Sequence, residues 1–379
     1  MNEPPRIRRK RIVIDARILF TSTGRYVERL LHHLQDLDSE NEYVVLLRAA
    51  GHGRWHPRAP NVTTMVADVK PYGFAEQWRF ARLLYGLRAD LVHFTVPNHP
   101  LLYRGPHVVT VHDLTLIDFV NELEARTASL RYRGKRVVFR GAMWWTARRS
   151  DALITPTRYV RDQLIRRLGA PGPQVHVTPE GADPLADDPE PTDRGQGPEY
   201  LLSVGNAYPY KNLWRLIEAF RELARPGLRL LLVGPPDMFY EELERRTEAA
   251  GVQGVVFAGF VPDDELAWLY QHARLFVFPS MSEGFGLPGL EAMRYGLPVL
   301  SSNASCLPEV YGDGAEYFDP TDTTGLARTI GRLLEDEERL GALRRAGAKV
   351  VARYSWRRMA EQTLEVYEQT LDRSSSTRR

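Results

Sequence analysis

The sequence predicts an α/β protein made of two doubly wound parallel sheets. Short, near-continuous apolar runs alternate with helix-length amphipathic segments, the pattern of strands covered by helices on both faces. At 379 residues the chain exceeds one ordinary core. One stretch, ADPLADDPEPTDRGQGPE from Ala182 to Glu199, interrupts the alternation with Pro, Asp and Gly and divides the chain into halves.

In the first half the strand candidates are Ile12–Asp15, Tyr43–Leu47, Leu91–Phe94, Val108–His112, Ala152–Thr155 and Val175–Thr178. Between them, apolar residues at helical spacing predict helices over Gly24–Leu34, Ala75–Tyr85, Ala128–Arg149 and Arg158–Leu168. In the second half the strands are Leu201–Val204, Leu228–Val233, Val255–Ala258, Leu275–Phe278 and Val299–Ser301. The helices there are Leu213–Leu223, Tyr240–Ala250, Asp264–Gln271, Pro288–Tyr295 and Thr324–Leu334. The expected organisation is an N-terminal domain at 1–185, a linker at 186–199 and a C-terminal domain at 200–353. A helix at 354–371, with Trp356 embedded, is expected to pack back toward the N-terminal domain, and 372–379 reads as a polar disordered tail. Ligands of doubly wound sheets bind beyond the carboxyl ends of the strands, so two such domains are expected to face each other across a binding cleft.

Composition excludes several classes. An apolar fraction of 43% and a charged fraction of 26% are those of a globular protein, and no apolar run is long enough to span a membrane. The basic residues before Ile12–Phe20 resemble a signal peptide, but Asp15 and Arg17 break the apolar run, so a first strand is expected. The single cysteine, Cys306, excludes an internal disulfide and a multi-cysteine metal site. Residues 1–190 carry 28 Lys/Arg against 21 Asp/Glu, whereas 191–379 carry 22 against 27. The excess concentrates in Arg126–Arg167, with 12 basic residues and two acids, and includes Trp144 and Trp145. Such a segment suits an anionic membrane surface; a solvated helix face with both Trp in the core is the competing reading.

The segment that carries most chemistry is SEGFGLPGLEAM, Ser282–Met293. It follows the strand Leu275–Phe278 and leads into a helix, with Pro288 suited to a helix start. Gly284, Phe285, Gly286 and Leu287 place backbone N–H groups at the positive helix end, an anion site. A carboxylate beside an expected phosphate is repelled, so Glu283 is better explained by sugar hydroxyls or by positive charge developing on a sugar ring. Lys211 stands before another helix and can reach a phosphate there. Gly259, Phe260 and Val261 end a strand whose backbone could meet a flat base.

These segments together resemble the retaining, nucleotide-sugar-dependent glycosyltransferases of family 4, which have the GT-B fold. The Glu-x7-Glu hallmark is Glu283 and Glu291, within FVFPSMSEGFGLPGLEAMRYGLPVLSS; LPEVYGDGAEYFDPTD, VGNAYPYKN, HVVTVHDLTLIDF and IDARILFTSTGRY also fit, in the expected order over residues 11–371. The resemblance implies that Glu291 binds the donor ribose and Glu283 the donor hexose. It gives Gly284, Phe285, Gly286 and Leu287 amides to the ligand, and Lys211 the diphosphate. It gives His112 a contact with the donor sugar. It brings Gly24 close to the diphosphate, with Arg25 and Tyr26 beside it and Asp113 next to His112. The arginine many relatives carry before the lysine is absent; Asn206 stands in that neighbourhood, and Ser22 replaces a loop glycine.

The implied reaction moves a hexose, mannose by the style of the motifs, from a GDP- or UDP-linked donor to a glycan or lipid-linked acceptor, with retention. No cofactor and no metal are implied: the one Asp-x-Asp triplet, Asp36-Leu37-Asp38, reads as helix surface. The setting implied is bacterial polysaccharide or glycolipid synthesis, in the cytoplasm or on the inner membrane face, with no nucleic acid partner. A dinucleotide-dependent oxidoreductase would need Gly-x-Gly-x-x-Gly after the first strand, which Asp15–Tyr26 lacks. A nucleotide-sugar epimerase and a non-catalytic nucleotide-sugar or carbohydrate-binding protein of the same fold remain as alternatives.

Overall fold

The computed structural model describes residues 9–21, 23–69, 73, 75–118, 130–186, 188–197 and 199–377. Ser22, Asp187, Pro198 and residues 126–129 of the basic stretch lie outside the described residues. The chain forms two compact units. The first comprises Met1–Leu114, Ser129–Glu180 and Trp356–Arg379; the second comprises Thr115–Ala128 and Gly181–Ser355.

The first unit holds a seven-stranded sheet. Its strands are β1 (Arg11–Asp15), β2 (Glu42–Leu47), β3 (Val62–Val66), β4 (Leu91–Phe94), β5 (His107–Thr110), β6 (Ala152–Thr155) and β7 (Val175–Val177). The order is β3-β2-β1-β4-β5-β6-β7 and every pair is parallel. The order reverses between β1 and β4, so the crevice at a doubly wound switch point opens beyond their carboxyl ends. Helix Gly24–Leu37 buries Tyr26, Val27, Leu30, Leu31 and Leu34, one face of a 3.6-residue period.

The second unit repeats the plan with six parallel strands: β8 (Tyr200–Val204), β9 (Arg229–Val233), β10 (Val255–Gly259), β11 (Leu275–Phe278), β12 (Val299–Ser302) and β13 (Ala315–Phe318). The order is β10-β9-β8-β11-β12-β13, with its switch point between β8 and β11. Leu216, Ile217 and Phe220 of helix Leu213–Leu223 meet Leu326, Ile330 and Leu333 of helix Thr323–Glu335 in its core. Asp322 caps the latter helix, accepting from the Gly325 N–H at 2.8 Å.

Several elements differ from the sequence expectation. β3 is an edge strand with one buried residue, Val62, so it has no apolar run to read. β13 and helix Glu337–Val351 also lie outside the predicted set. The last helix runs from Trp356 to Thr377, past the expected end at Leu371. There Ser374, Ser375 and Ser376 donate their hydroxyls to carbonyls four residues back, which accommodates polar residues in a helix. Part of the expected linker is bound in place within the second unit. Arg194 donates to Glu265 at 2.7 Å and to the Ala258 carbonyl.

The last helix is tied into the first unit by a buried polar chain. Tyr367 Oη lies 2.6 Å from His93 Nδ1, and His93 Nε2 lies 2.8 Å from Thr110 Oγ1, which in turn meets Tyr26 Oη at 3.0 Å. Burial, and secondarily the charge of His112, lowers His93 from 6.5 to about 3. Burial, then His107, does the same to His99. Both rings therefore stay neutral in the fold while the unfolded chain protonates them below pH 6.5. Their contribution is complete above that pH and is lost as pH falls toward 3, at a scale of about 2 kcal/mol per ring by pH 5. Urea unfolding of the wild type should weaken between pH 7.5 and 5. His93→Gln, although less stable at pH 7.5, should show a flatter dependence; an unchanged slope would refute the assignment.

Candidate functional site

The second unit gathers its chemistry at the switch point between β8 and β11. Lys211 closes a short turn, Pro209–Lys211, seven residues after β8 ends at Val204. Glu283 lies in the loop after β11. Lys211 Nζ donates to Glu283 Oε1 at 2.6 Å, and both side chains are largely buried. The ammonium also lies 5.5 Å from the centroid of Phe278 and 5.6 Å from that of Tyr210. Aromatic faces attract a cation at this range.

Backbone contacts hold the pair in register. Asn212, in a left-handed conformation at φ 59°, donates to the carbonyls of Pro279 and Pro320 at 3.2 and 2.9 Å. Met281 N–H donates to the Tyr210 carbonyl at 2.7 Å, joining the loop of Lys211 to that of Glu283. Glu283 N–H donates to Ser305 Oγ at 3.0 Å, and Cys306 Sγ contacts its carbonyl at 3.3 Å. Burial, then the charge of Glu283, pushes the Cys306 thiol upward, which keeps it protonated.

The helix of the motif spans Leu287–Arg294, with Pro288 at its second position. Gly286 precedes it at φ 92°, and its carbonyl accepts from the fully buried Tyr311 hydroxyl. A Cβ at Gly286 would stand 2.5 Å from Tyr311 Oη. This glycine is thus required by the loop's own packing, where closeness to a ligand was the sequence expectation. Glu291 lies in the second turn of the helix. It is buried, and Tyr270 Oη donates to its Oε2 at 3.1 Å. Gly284 and Phe285 are buried and Leu287 is half-buried; Phe285 packs edge-on against Tyr354.

Other expected donor residues are placed differently. Asn206 is half-buried, and its Oδ1 accepts from the Tyr208 N–H at 3.4 Å. Gly259 N–H donates to Tyr240 Oη and its carbonyl accepts from Gly234, so the backbone offered to a base is already engaged there. Val261 is buried, whereas the Phe260 ring is 70% exposed.

In the first unit His112 lies two residues past β5, not at its end. Its Nε2 lies 3.0 Å from the Thr95 carbonyl and its Nδ1 3.3 Å from Glu180 Oε1. Both nitrogens face oxygen acceptors within the protein, where a direct contact with a sugar was expected. Tyr26 is buried, donates or accepts at Thr110, and stands edge-on to His112 at 4.8 Å. It faces the core because Gly24–Leu37 turns that side inward. Gly24 is called for by the Leu19 carbonyl, which would lie 1.9 Å from a Cβ. Arg25 is half-buried and Asp113 exposed. Among the described residues, His32, His33 and Asp36 could converge on a metal ion, but Asp36 is paired with Arg58. Asp38, opposed by burial, is held below the usual carboxylate range by Tyr43 and Asn41.

Sequence reasoning missed Glu180, Tyr270, Ser305 and Tyr311, which act through the residues it named. It also missed Thr115, which groups with the second unit and whose hydroxyl lies 2.9 Å from that of Ser282. Tyr311 and Thr115 lie within LPEVYGDGAEYFDPTD and HVVTVHDLTLIDF but were given no role there; Glu180, Tyr270 and Ser305 belong to none of the quoted motifs.

Two parallel sheets of this order, each ending in a polar switch point, define the GT-B fold. Residues 23–184 match the family described as Glycosyltransferase Family 4, and residues 186–350 match Glycosyl transferases group 1. The chain is 30% identical over 325 residues to MMP alpha-(1->4)-mannosyltransferase of Mycolicibacterium hassiacum, covering 78% of this chain and 74% of that protein. It is 36% identical over 175 residues to O-antigen chain mannosyltransferase B of Escherichia coli; the match spans 44% of this chain and under half, 45%, of that relative's length. A crystal structure of Anabaena Alr3699/HepE in complex with UDP and glucose superposes with a TM-score of 0.72 at 18% identity, covering 95% of this chain and all of that one. The chain belongs to glycosyltransferase family 4.

Replacing Gly286 by Ala should destabilise the second unit by about 2 kcal/mol or more, from its left-handed backbone and the Tyr311 contact. Adding Tyr311→Phe should recover part of the loss in a thermal melt; full stability of the single variant would contradict this packing.

Proposed function

We propose that the protein transfers a hexose, with mannose favoured, from a nucleoside diphosphate sugar to an acceptor hydroxyl with retention of configuration. The observation that carries the reading is the Lys211–Glu283 pair, 2.6 Å apart beyond β8 and β11 and next to a helix start. Mannosyltransferases among the relatives support the sugar, and a neighbour's structure with UDP and glucose supports a nucleotide-linked donor. GDP- and UDP-linked hexoses are both candidates.

The chemistry needs charge neutralised at a departing diphosphate. Lys211 supplies one positive charge and the N-terminus of Leu287–Arg294 supplies oriented N–H groups, so this reading needs no metal. Glu283 receives the sugar hydroxyls, and Glu291, fixed by Tyr270, receives the ribose. As the bond from the anomeric carbon to the phosphate oxygen breaks, the acceptor oxygen bonds to that carbon from the same face. The acceptor's proton passes to the leaving phosphate. Diphosphate binding draws Lys211 partly away from Glu283, which frees a carboxylate oxygen for the sugar. On the acceptor side, where Arg25, Tyr26 and Asp113 were expected, the reading retains Arg25 and Asp113, and His112 is kept for the donor sugar.

Lys211→Ala and Glu283→Ala should each lower turnover by roughly 10²–10³-fold, the scale of losing one preorganised electrostatic contact. Product formation from GDP-mannose, UDP-glucose and related donors, with folding checked by circular dichroism, measures this. Near wild-type rates in either variant would sink the assignment.

A surface of the first unit supports a peripheral membrane location. On helix Leu130–Arg149, Val137, Gly141, Trp144 and Arg148 are exposed at spacings that share one face. Arg148 lies over Trp144, and Arg104 and Arg149 over Trp145. Exposed Tyr85 and Leu102 adjoin through hydrogen bonds at Arg104 N–H and the Leu102 carbonyl. Aromatic rings framed by guanidinium groups suit the headgroup layer of an anionic bilayer. No helix among the described residues is long and apolar enough to cross a membrane. The protein should sediment with vesicles containing anionic lipid, weaken with salt, and lose binding in Trp144→Ala. Equal sedimentation with neutral vesicles, or none with either, would remove the membrane reading.

A further inference from the structure

Glu180 ends the first unit's central segment, just after β7, and its side chain is 7% exposed. A carboxylate withdrawn from water this far is costly unless something compensates it. The contact that does so is His112 Nδ1, at 3.3 Å. On the other side of the ring, Nε2 faces the Thr95 carbonyl at 3.0 Å. A carbonyl oxygen only accepts, so Nε2 carries a proton. The Glu180 carboxyl meets Nδ1 and fixes the plane of the ring from the opposite side. Tyr26 stands edge-on to the ring at 4.8 Å and closes a third side. His112 is thus held by three segments: the end of β4, the first helix and the stretch after β7.

We propose that Glu180 is a positioning residue that fixes the His112 ring from its Nδ1 side, so that Nε2 is the nitrogen presented to the substrates. The inference rests on the transferase reading for its kinetic consequence alone; the state of the ring stands apart from it. Presenting a nitrogen to a sugar hydroxyl requires release of one tether. Thr95 is the tether that can be exchanged, because its carbonyl is neutral and a hydroxyl oxygen replaces it like for like. Glu180 would remain bonded through that exchange. Loss of Glu180 should therefore act mainly on kcat, through a misoriented ring, and little on donor KM.

Two measurements test this. In 15N-edited NMR the His112 ring resonances should move in Glu180→Gln, since the partner of Nδ1 changes. In the transfer assay, Glu180→Ala should lower kcat about tenfold, the scale seen when a carboxylate that orients a functional histidine is lost. Glu180→Gln should retain more activity than Glu180→Ala, because its amide can still hydrogen-bond Nδ1. In a His112→Ala background the same changes should cost nothing further, a non-additivity that a general loss of stability would not produce. Unchanged His112 resonances in Glu180→Gln would overturn the proposal. Additive losses in the double variant would overturn it as well. Absence of transfer by the wild type across all donors would instead defeat the transferase reading and leave the NMR result to decide Glu180.

Discussion

The ion pair between Lys211 and Glu283 is the constraint around which the second unit's site is arranged. Two opposite charges largely removed from water are tolerated only at close range and with their remaining hydrogen-bonding capacity met; stripping one partner from a buried pair costs about 3–5 kcal/mol. That demand explains the density of local ties. Asn212 adopts a left-handed backbone to bridge Pro279 and Pro320, the Tyr210 carbonyl accepts from Met281, and Ser305 accepts from Glu283. Each contact shortens the freedom of one of the two loops.

The glutamates of Glu-x7-Glu play opposite physical parts. Glu283 faces a cation in a loop, whereas Glu291 is sunk into the second helical turn against the Tyr270 hydroxyl. Between them the glycine at 286 exists for Tyr311, whose hydroxyl locks the turn from which the helix starts. Burial, then the charge of Glu283, holds the Tyr311 phenol well above its ordinary range, so it stays a donor to that carbonyl.

The first unit buries a cation of its own just after β1. Arg17 is buried between Asp15 and Glu76 at 2.7 and 2.8 Å and stacks over Phe80. Burial opposes its charge, but Asp15 and then Glu76 more than restore it. Asn98 completes Glu76 at 2.7 Å. This network anchors the loop after β1, while His93 and Tyr367 anchor the last helix. In both networks the buried charged and aromatic polar groups are matched by partners at hydrogen-bond distance.

By itself the sequence determined the two-sheet architecture, most strands and helices, and the family, and it offered the acid, lysine and histidine positions as candidates. These depend on local periodicity and contiguous motifs, which a linear chain displays. β3 escaped because an edge strand with outward polar residues has no apolar run. The helix extension to Thr377 escaped because hydroxyls returning to their own backbone leave no apolar signature. Only the tertiary structure decided that Lys211 meets Glu283 across 72 positions, that Tyr311 dictates Gly286, and that Glu180 grips His112 across 68. The physical reason is common to all three. The need to compensate a buried charge or fill a space is set by partners that the fold brings together from distant positions, and no local pattern records the distance.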